Sequence, residues 1–431
     1  MLMEVAESPK EYRRPVIAAW LGWLMDGYVT IAYLIQLGVI APLFFPGKLF
    51  DLYFFYFVIN GAARALGSFV LGNFIGDRIG RRRMIVITVV LFSISSFSIG
   101  LLPTYYHVGI MATISIGILL FFMGLFAGAE YGGGAALSME NVPKEKRNLI
   151  GAFVQSGFGV GYAILSLVYA LLTSLLRSSY SIYGWRILFF TTAIIGLIAL
   201  VVRKYSSESP VFQEYVKKEK VEKWPLLRLF RDRWRAVIAT ITIAGSLLFL
   251  NSITLSLYPT ILETVDFFGK SISGVTLFFI NAISIGGVIL GGFIAGRSLK
   301  RLSFMLIYTL MFLVVSAAIV SFVFRNNLLL VSTAFSAQAF FEAMIFSTLP
   351  AFLTEVFSKR FRTTAVGSVY NIGSMIGSIG IFVVPYYAGI YGWSTVWSIA
   401  VVIFSLILIA GVSLSIGSYS REIKSGDLIV D

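Results

Sequence analysis

Residues 52–75 read LYFFYFVINGAARALGSFVLGNFI, an apolar run whose most polar members are Asn60, Arg64 and Asn73. A helix needs about 20 apolar residues to cross a bilayer, so this run is long enough to span one. Arg64 decides how the run is read. A charge near the bilayer centre costs several kcal/mol unless a partner or a water-filled cavity receives it, and such residues are read first as functional. Asp26, Glu130 and Glu342 interrupt other apolar runs in the same way. A polytopic membrane protein with a polar centre is therefore expected, and with it a role in transport.

The composition agrees with lipid as the main solvent. Hydrophobic residues make up 58% of the 431-residue chain and charged residues 13%, with a mean hydropathy of +0.88. Soluble domains carry about 25% charged residues. The apolar runs predict helices over 16–41, 52–76, 84–104, 109–137, 148–174, 184–202, 237–261, 272–296, 303–323, 328–354, 364–388 and 393–416. The expected fold class is an all-α membrane protein with twelve transmembrane helices in two pseudo-symmetric six-helix bundles. No cysteine is present, so disulfides and thiolate metal sites are excluded. The polar first sixteen residues precede no small-residue cleavage site, and no removable signal peptide is expected.

A net charge of +13 invites a nucleic-acid reading, but the placement of the charge argues against it. With both termini on one side, only Lys48, Arg177, Arg186, Lys270 and Arg325 fall on the other, and Arg64 stays inside the membrane. Every other Lys and Arg shares the side of the termini, which the positive-inside rule makes cytoplasmic. The basic residues alternate with spans and form no stripe along which a nucleic acid could bind.

The longest polar stretch, 203–236, separates two halves, 1–202 and 237–431, each expected to form one bundle. Val211, Phe212, Tyr215, Leu226 and Leu227 mix with basic residues there. That pattern suits helices lying on an anionic leaflet, and it equally suits a solvated linker. The halves repeat. Gly72-Asn73-Phe74-Ile75-Gly76-Asp77-Arg78 closes helix two, and Gly292-Phe293-Ile294-Ala295-Gly296-Arg297 closes helix eight. Glu140 through Arg147 follows helix four, and Glu355 through Arg362 follows helix ten at nearly the same offset, about half the chain. Parallel duplicates related by an axis along the membrane normal are expected.

At 1.5 Å of rise per residue, Asp26 lies about 15 Å into helix one, Arg64 about 18 Å before Gly76, Glu130 about 15 Å from Glu140 and Glu342 about 20 Å from Glu355. All four fall near the middle of a core about 30 Å thick, the level at which duplicated transporters hold substrate. Gly124, Gly128 and Gly132 form a small-residue stripe suited to close packing, and Glu130 points away from it. Asp26 and Arg64 could form a purely structural pair that fixes register, or could handle proton and substrate. Burial raises a carboxyl pKa and a nearby cation lowers it, so an acid beside an arginine is switched by whatever competes for the arginine. An anion that takes Arg64 leaves Asp26 to pick up a proton, and the loaded carrier is then nearly neutral. Tyr28, Tyr131, Gln155, Asn281 and Asn371 are further polar contacts for a substrate. Trp20, Trp23 and Trp185 read as lipid-facing or interfacial anchors.

The loop Gly76-Asp77-Arg78-Ile79-Gly80-Arg81-Arg82-Arg83 needs a sharp turn at Gly80 and an acid able to cap a helix at Asp77. Its sequence resembles the signature between helices two and three of the major facilitator superfamily. The resemblance implies that Asp77, Arg78, Gly80 and Arg81 form a cytoplasmic latch between the bundles. The leading glycine of that signature is displaced here, since Asn73 stands four residues before Asp77. Gly22-Trp23-Leu24-Met25-Asp26-Gly27-Tyr28, Arg64-Ala65-Leu66-Gly67, Gly128-Ala129-Glu130-Tyr131-Gly132-Gly133, Phe153-Val154-Gln155-Ser156-Gly157, Gly184-Trp185-Arg186, Glu208-Ser209-Pro210-Val211-Phe212 and Tyr370-Asn371-Ile372-Gly373 resemble the metabolite–proton and sialate or carboxylate symporter branches. Leu120 and Val29 depart from them, standing where some relatives carry an arginine and a second acid.

His107 is the only histidine, so imidazole metal clusters and catalytic dyads are not available. No Gly-rich Lys-Ser/Thr loop exists to cradle nucleotide phosphates, which argues against an ATP-driven pump. The resemblance implies a secondary transporter and no enzyme: proton-coupled uptake of a small metabolite, most readily a carboxylate, by alternating access across the cell membrane. Helix five lacks the Gly-Pro pair of the superfamily's drug exporters, which favours uptake. A monomer with no cofactor, whose partners are substrate, protons and lipid, is expected. A sugar–proton symporter, to which Asn251, Tyr258 and Pro259 point, an exporter and a non-transporting sensor are the alternatives.

Overall fold

The computed structural model describes residues 10–47, 50–75, 81–140, 142–204, 225–265, 268–296, 301–324, 326–357 and 362–425. Twelve long helices run through them: α1 (Lys10–Leu34), α2 (Phe50–Gly67), α3 (Arg81–Ile99), α4 (Ile110–Glu140), α5 (Arg147–Leu176), α6 (Gly184–Lys204), α7 (Pro225–Ile253), α8 (Lys270–Ala295), α9 (Arg301–Val323), α10 (Leu328–Val356), α11 (Arg362–Tyr391) and α12 (Trp393–Ser425). By length and composition ten of the helices can cross a membrane, and α3 and α6 add the shorter apolar stretches Val86–Ile99 and Gly184–Ile198. In lipid the backbone must satisfy its own hydrogen bonds, and for a single segment only a helix does so.

The two halves pack alike. In the first, α1 lies against α5 and α6, α2 against α4, and α3 against α4 and α6. In the second, α7 lies against α11 and α12, α8 against α10, and α9 against α10 and α12. Each contact recurs six helices later, as expected of a duplicated bundle. The halves meet where α5 packs on α8 and α2 on α11.

Small residues bring these helices together. A methyl group on Gly128 would collide with the carbonyl of Arg64, one on Gly124 with that of Asn60, and one on Gly67 with that of Leu125. The expected stripe on α4 is therefore the face that packs on α2. Gly27, Gly157 and Gly161 do the same between α1 and α5. Such approach gives dispersion contact along the backbone where no hydrophobic drive between helices exists.

The spans expected as continuous over 16–41 and 237–261 are both broken. Helix one turns at Ile35 and Gln36 and continues as Leu37–Phe44; helix seven turns after Ile253 and continues as Tyr258–Thr260 and a π-helical turn, Ile261–Val265. The two breaks stand at the half-chain offset of the other repeats. Pro259 supplies the cause in helix seven, since it has no N–H for the carbonyl of Leu255 four residues earlier. That carbonyl instead accepts the Tyr162 hydroxyl of α5 at 3.0 Å. In helix one the Gln36 side-chain amide donates to the Ala32 carbonyl at 2.9 Å. Helix two also ends in a π-helical segment, Ser68–Ile75. Gly296 (φ +48°) and Gly392 (φ +87°) end α8 and α11 in left-handed backbone, which only glycine adopts without strain.

Candidate functional site

Asp26 on α1 and Arg64 on α2 meet in a buried ion pair, with Arg64 Nη2 donating to Asp26 Oδ1. Thr30, one turn along α1, donates its hydroxyl to Asp26 Oδ1 at 3.0 Å and accepts from Arg64 Nη2 at 3.1 Å. Asp26 is 4% exposed and Arg64 7%. At that burial an isolated charge is not tolerated, and removing one partner of such a pair costs about 3–5 kcal/mol.

Aromatic and amide groups surround the pair. Trp23, three residues before Asp26, donates its indole N–H to Gln155 Oε1 on α5 at 2.8 Å. Its ring meets Phe158 of α5 edge-on at 6.1 Å and Tyr370 of α11 at 5.7 Å. The first half supplies the charges, and the second half brings a tyrosine against Trp23 beside them. Trp20 donates to Ser156 Oγ at 3.1 Å, and Trp185 is fully buried against Phe44 at 5.7 Å. Trp23 and Trp185 are therefore not lipid anchors: a partner for the N–H draws the first inside and ring packing the second, neither of which bulk apolarity reveals. Trp20 is only half-buried and stacks on exposed Phe153.

Glu342 lies elsewhere, inside the second half. It is fully buried on α10, and its two oxygens accept from Asn251 Nδ2 at 2.8 Å and Thr254 Oγ1 at 2.6 Å, both from α7 and the turn that follows. Among the described residues no basic side chain forms an ion pair with it. One turn earlier on α10, Gln338 accepts from the Tyr258 hydroxyl at 2.8 Å and donates to Ser316 of α9 at 2.8 Å. Among the described residues, the buried carboxyl of Asp26 in the first half is thus held by a cation, and that of Glu342 in the second half by neutral donors.

The other expected contacts scatter. Gln155 joins Trp23 beside the ion pair. The Tyr28 hydroxyl turns to Thr191 of α6 at 2.8 Å, within the first bundle. Asn281 donates to the Leu277 carbonyl of its own helix at 2.8 Å. Asn371 reaches across the halves to the Gly128 carbonyl at 3.1 Å, and to Gly367 of its own helix at 2.8 Å. Glu130 and Tyr131 lie on α4, and their side chains are outside the described residues. Asp77, Arg78 and Gly80 are also outside them, as is the Arg81 side chain, so the expected latch is not seen.

The family model described as Major Facilitator Superfamily matches residues 50–380, more than half of the chain. The chain belongs to that superfamily. It is 32% identical over 342 residues to the inner membrane metabolite transport protein YhjE of Escherichia coli K12, covering 77% of this chain and 76% of the relative. It is 26% identical over 392 residues to the glycine betaine/proline/ectoine/pipecolic acid transporter OusA of Dickeya dadantii, covering 85% of this chain and 76% of the relative. Among solved structures it resembles a partially occluded, inward-open conformation of the xylose transporter XylE from E. coli, with a TM-score of 0.75, 15% identity, and 93% and 97% of the two chains covered. XylE bound to 6-bromo-6-deoxy-D-glucose gives a TM-score of 0.74 at 17% identity over 93% and 95% of the two chains. At these identities the structural likeness establishes the fold. The protein is a multi-pass transport protein of that superfamily, and not an enzyme.

For a superfamily member the contacts between halves matter as much as the centre. At the end holding the loops after α4 and α10, Glu355 of α10 binds Arg301 of α9 at 2.9 Å and Arg147 of α5 at 3.6 Å. Asn148 donates to the Gly296 carbonyl at 3.1 Å. At the opposite end the Tyr169 hydroxyl of α5 donates to Glu263 Oε1, in the π-helical turn after helix seven, at 2.6 Å. Gly274 of α8 packs on the Ala170 backbone. The halves are thus bridged at both ends, with the ion pair between. Sequence reasoning singled out the segments of Arg147 and Glu355 as a repeat without seeing that they meet. It missed Glu263, Tyr169, Thr30, Thr254 and Arg301. For Glu263 the signal was present, as an acid within one helical turn of Pro259.

Proposed function

We propose that this protein is a proton-coupled importer of a small organic metabolite bearing a carboxylate, working by alternating access in the inner membrane. The observation that carries this reading is the Asp26–Arg64 pair. It is buried between α1 and α2, fenced by Trp23, Gln155 and Tyr370, and equipped with a guanidinium whose fork matches a carboxylate.

A substrate carboxylate that engages Arg64 displaces Asp26. The abandoned carboxylate is buried beside a threonine hydroxyl and an aromatic wall, and taking up a proton removes the cost of leaving it charged. Substrate and proton together leave the site with the net charge of the empty pair. Either alone adds a charge that has to cross the apolar barrier. Only the empty and the doubly loaded carrier therefore rock readily between orientations, which is the thermodynamic content of symport. Glu342, held by Asn251 and Thr254, is the second carboxyl able to take a proton without a counter-ion. Glu130 completes the coupling set expected from sequence, and Asp77, Arg78, Gly80 and Arg81 the cytoplasmic latch, with the termini on the cytoplasmic side.

The relatives support the class. YhjE is named for metabolite transport, and glycine betaine, proline, ectoine and pipecolic acid, the compounds in the name of OusA, all carry a carboxylate. The fold neighbours favour a second reading, a sugar, for which the neutral groups Asn251, Gln338 and Tyr258 offer hydrogen bonds. Proteoliposome uptake of labelled carboxylates and sugars, with and without an inward proton gradient, separates the two. Accumulation of a carboxylate driven by the gradient, lost in Asp26→Asn with exchange retained, is expected. Flux indifferent to the gradient removes proton coupling, and uptake of sugars alone reverses the substrate assignment.

A further inference from the structure

Away from the central pair, at the end opposite the Arg147–Glu355 bridge, a second set of ionisable groups joins the halves. Glu263 sits on the π-helical turn Ile261–Val265 that continues broken helix seven. Tyr169 of α5 donates its hydroxyl to it at 2.6 Å. Behind Tyr169, Tyr180 packs edge-on at 5.5 Å and donates to Gln36 Oε1 at 2.8 Å, at the break of helix one. The second piece of helix one also passes beside the acid, since a methyl group on Gly38 would stand 3.6 Å from Glu263 Oε2. Both broken helices and α5 thus converge on one carboxylate.

The titratable groups facing Glu263 among the described residues are Tyr169 from α5, Tyr180 from the turn after it, and Lys270 from the start of α8. Lys270 also reaches Ser181 Oγ at 3.4 Å. Tyrosine and lysine keep their protons at neutral pH, so Glu263 is the member of the set able to change charge there. A tyrosine hydroxyl bound to a carboxylate makes a charge-assisted hydrogen bond, roughly twice as strong as one to a neutral oxygen. π-helical turns are rare and are found frequently at functional sites.

We propose that Glu263 is a proton-operated clasp on this mouth of the transporter. As a carboxylate it holds the turn after helix seven against Tyr169 and the mouth is shut. A proton delivered from the solution on that side converts it to the neutral acid, weakens the Tyr169 bond and frees the turn to swing out. No other bond is made or broken, and the proton leaves when the mouth closes again. The inference rests on the reading above only in taking this mouth as the external one.

The chain has no cysteine, so a single reporter can be introduced. Ser256→Cys places one in the break of helix seven, at a residue 8% exposed in the closed arrangement. In right-side-out vesicles its labelling by a membrane-impermeant thiol reagent, divided at each pH by the rate for the denatured protein to remove the titration of the thiol itself, is expected to speed up as the external pH falls, by about tenfold for loss of one charged hydrogen bond. On the same normalised scale, Ser256→Cys with Glu263→Gln, and Ser256→Cys with Tyr169→Phe, are expected to label fast at every pH. An unchanged pH dependence in Glu263→Gln overturns the clasp, as does slow labelling throughout in Tyr169→Phe. Labelling of Glu263→Gln only from inside-out vesicles overturns the orientation and leaves the carboxylate reading of the central site standing. If Glu263→Gln does not reach the membrane, Tyr169→Phe decides alone, because its aromatic ring is preserved.

Discussion

Tyr370 of α11 lies 5.7 Å from Trp23 of α1, ring to ring, and Asp26 follows Trp23 by less than one turn. Asp26 and Arg64 belong to one bundle, so neither charge alone links the two halves. The Trp23–Tyr370 contact does. In the proposed cycle a ligand that parts Asp26 from Arg64 acts beside this contact, which gives occupancy of a site built in one half a route to the packing of the other.

Trp23→Phe keeps a ring for Tyr370 and loses the donor to Gln155, whereas Trp23→Leu loses both. KM for substrate uptake is expected to rise modestly in the first and by at least tenfold more in the second, about 1.4 kcal/mol or more of lost aromatic contact. Equal effects would assign the role of Trp23 to its N–H alone.

Arg64→Gln strands Asp26 in a buried position and is expected to destabilise the protein by about 3–5 kcal/mol. Asp26→Asn combined with Arg64→Gln removes both charges and is expected to regain most of that loss without regaining transport. Thermal unfolding of the four proteins in detergent, read as a double-mutant cycle, checks this. Additive losses would mean that the two side chains do not act as a pair.

Gly128→Val drives a branched side chain into the Arg64 carbonyl, and a loss of about 1–3 kcal/mol is expected from overpacking. Gly286→Ala meets nothing within 4 Å and is expected to be neutral or to stabilise by up to about 1 kcal/mol through helix propensity. Melting temperatures of the two variants test the pair of statements together.

The twelve helices, the duplication and the placement of Asp26 beside Arg64 were legible because each rests on a strong local rule. An apolar run of given length has to be a helix in lipid, and a charge inside it has to find a partner. The breaks in helices one and seven were less visible, since a single proline or glutamine acts through a carbonyl four residues away. The destinations of Tyr28 and Asn281 were not legible at all. Whether a polar side chain on a membrane helix faces a cavity, a neighbour or its own backbone depends on helix rotation, and a period of 3.6 residues cannot fix rotation when apolar residues fill every face. Trp23 and Trp185 were misread for the same reason. Glu355 was noticed as part of a repeat, but its partners Arg147 and Arg301 come from two other helices and carry no shared sequence mark.

Glu355→Gln weakens two ion pairs, one of them between the halves. Labelling of a cysteine placed at buried Ser347 on α10 is expected to speed up from the side that holds the α4–α5 loop and to slow from the other. Arg301→Gln is expected to give a smaller change, because the 2.9 Å pair it removes lies within one half. An equal rise from both sides would indicate local unfolding and no shift between orientations.

In the proposed cycle a substrate carboxylate and a proton exchange places around Arg64. Proton uptake by the purified protein in weakly buffered detergent solution, on addition of a carboxylate shown to be transported, measures this directly. The wild-type protein is expected to take up protons in step with ligand binding, and Asp26→Asn to bind the ligand with no uptake. Binding of the carboxylate without proton uptake by the wild-type protein, or undiminished uptake by Asp26→Asn, would contradict it.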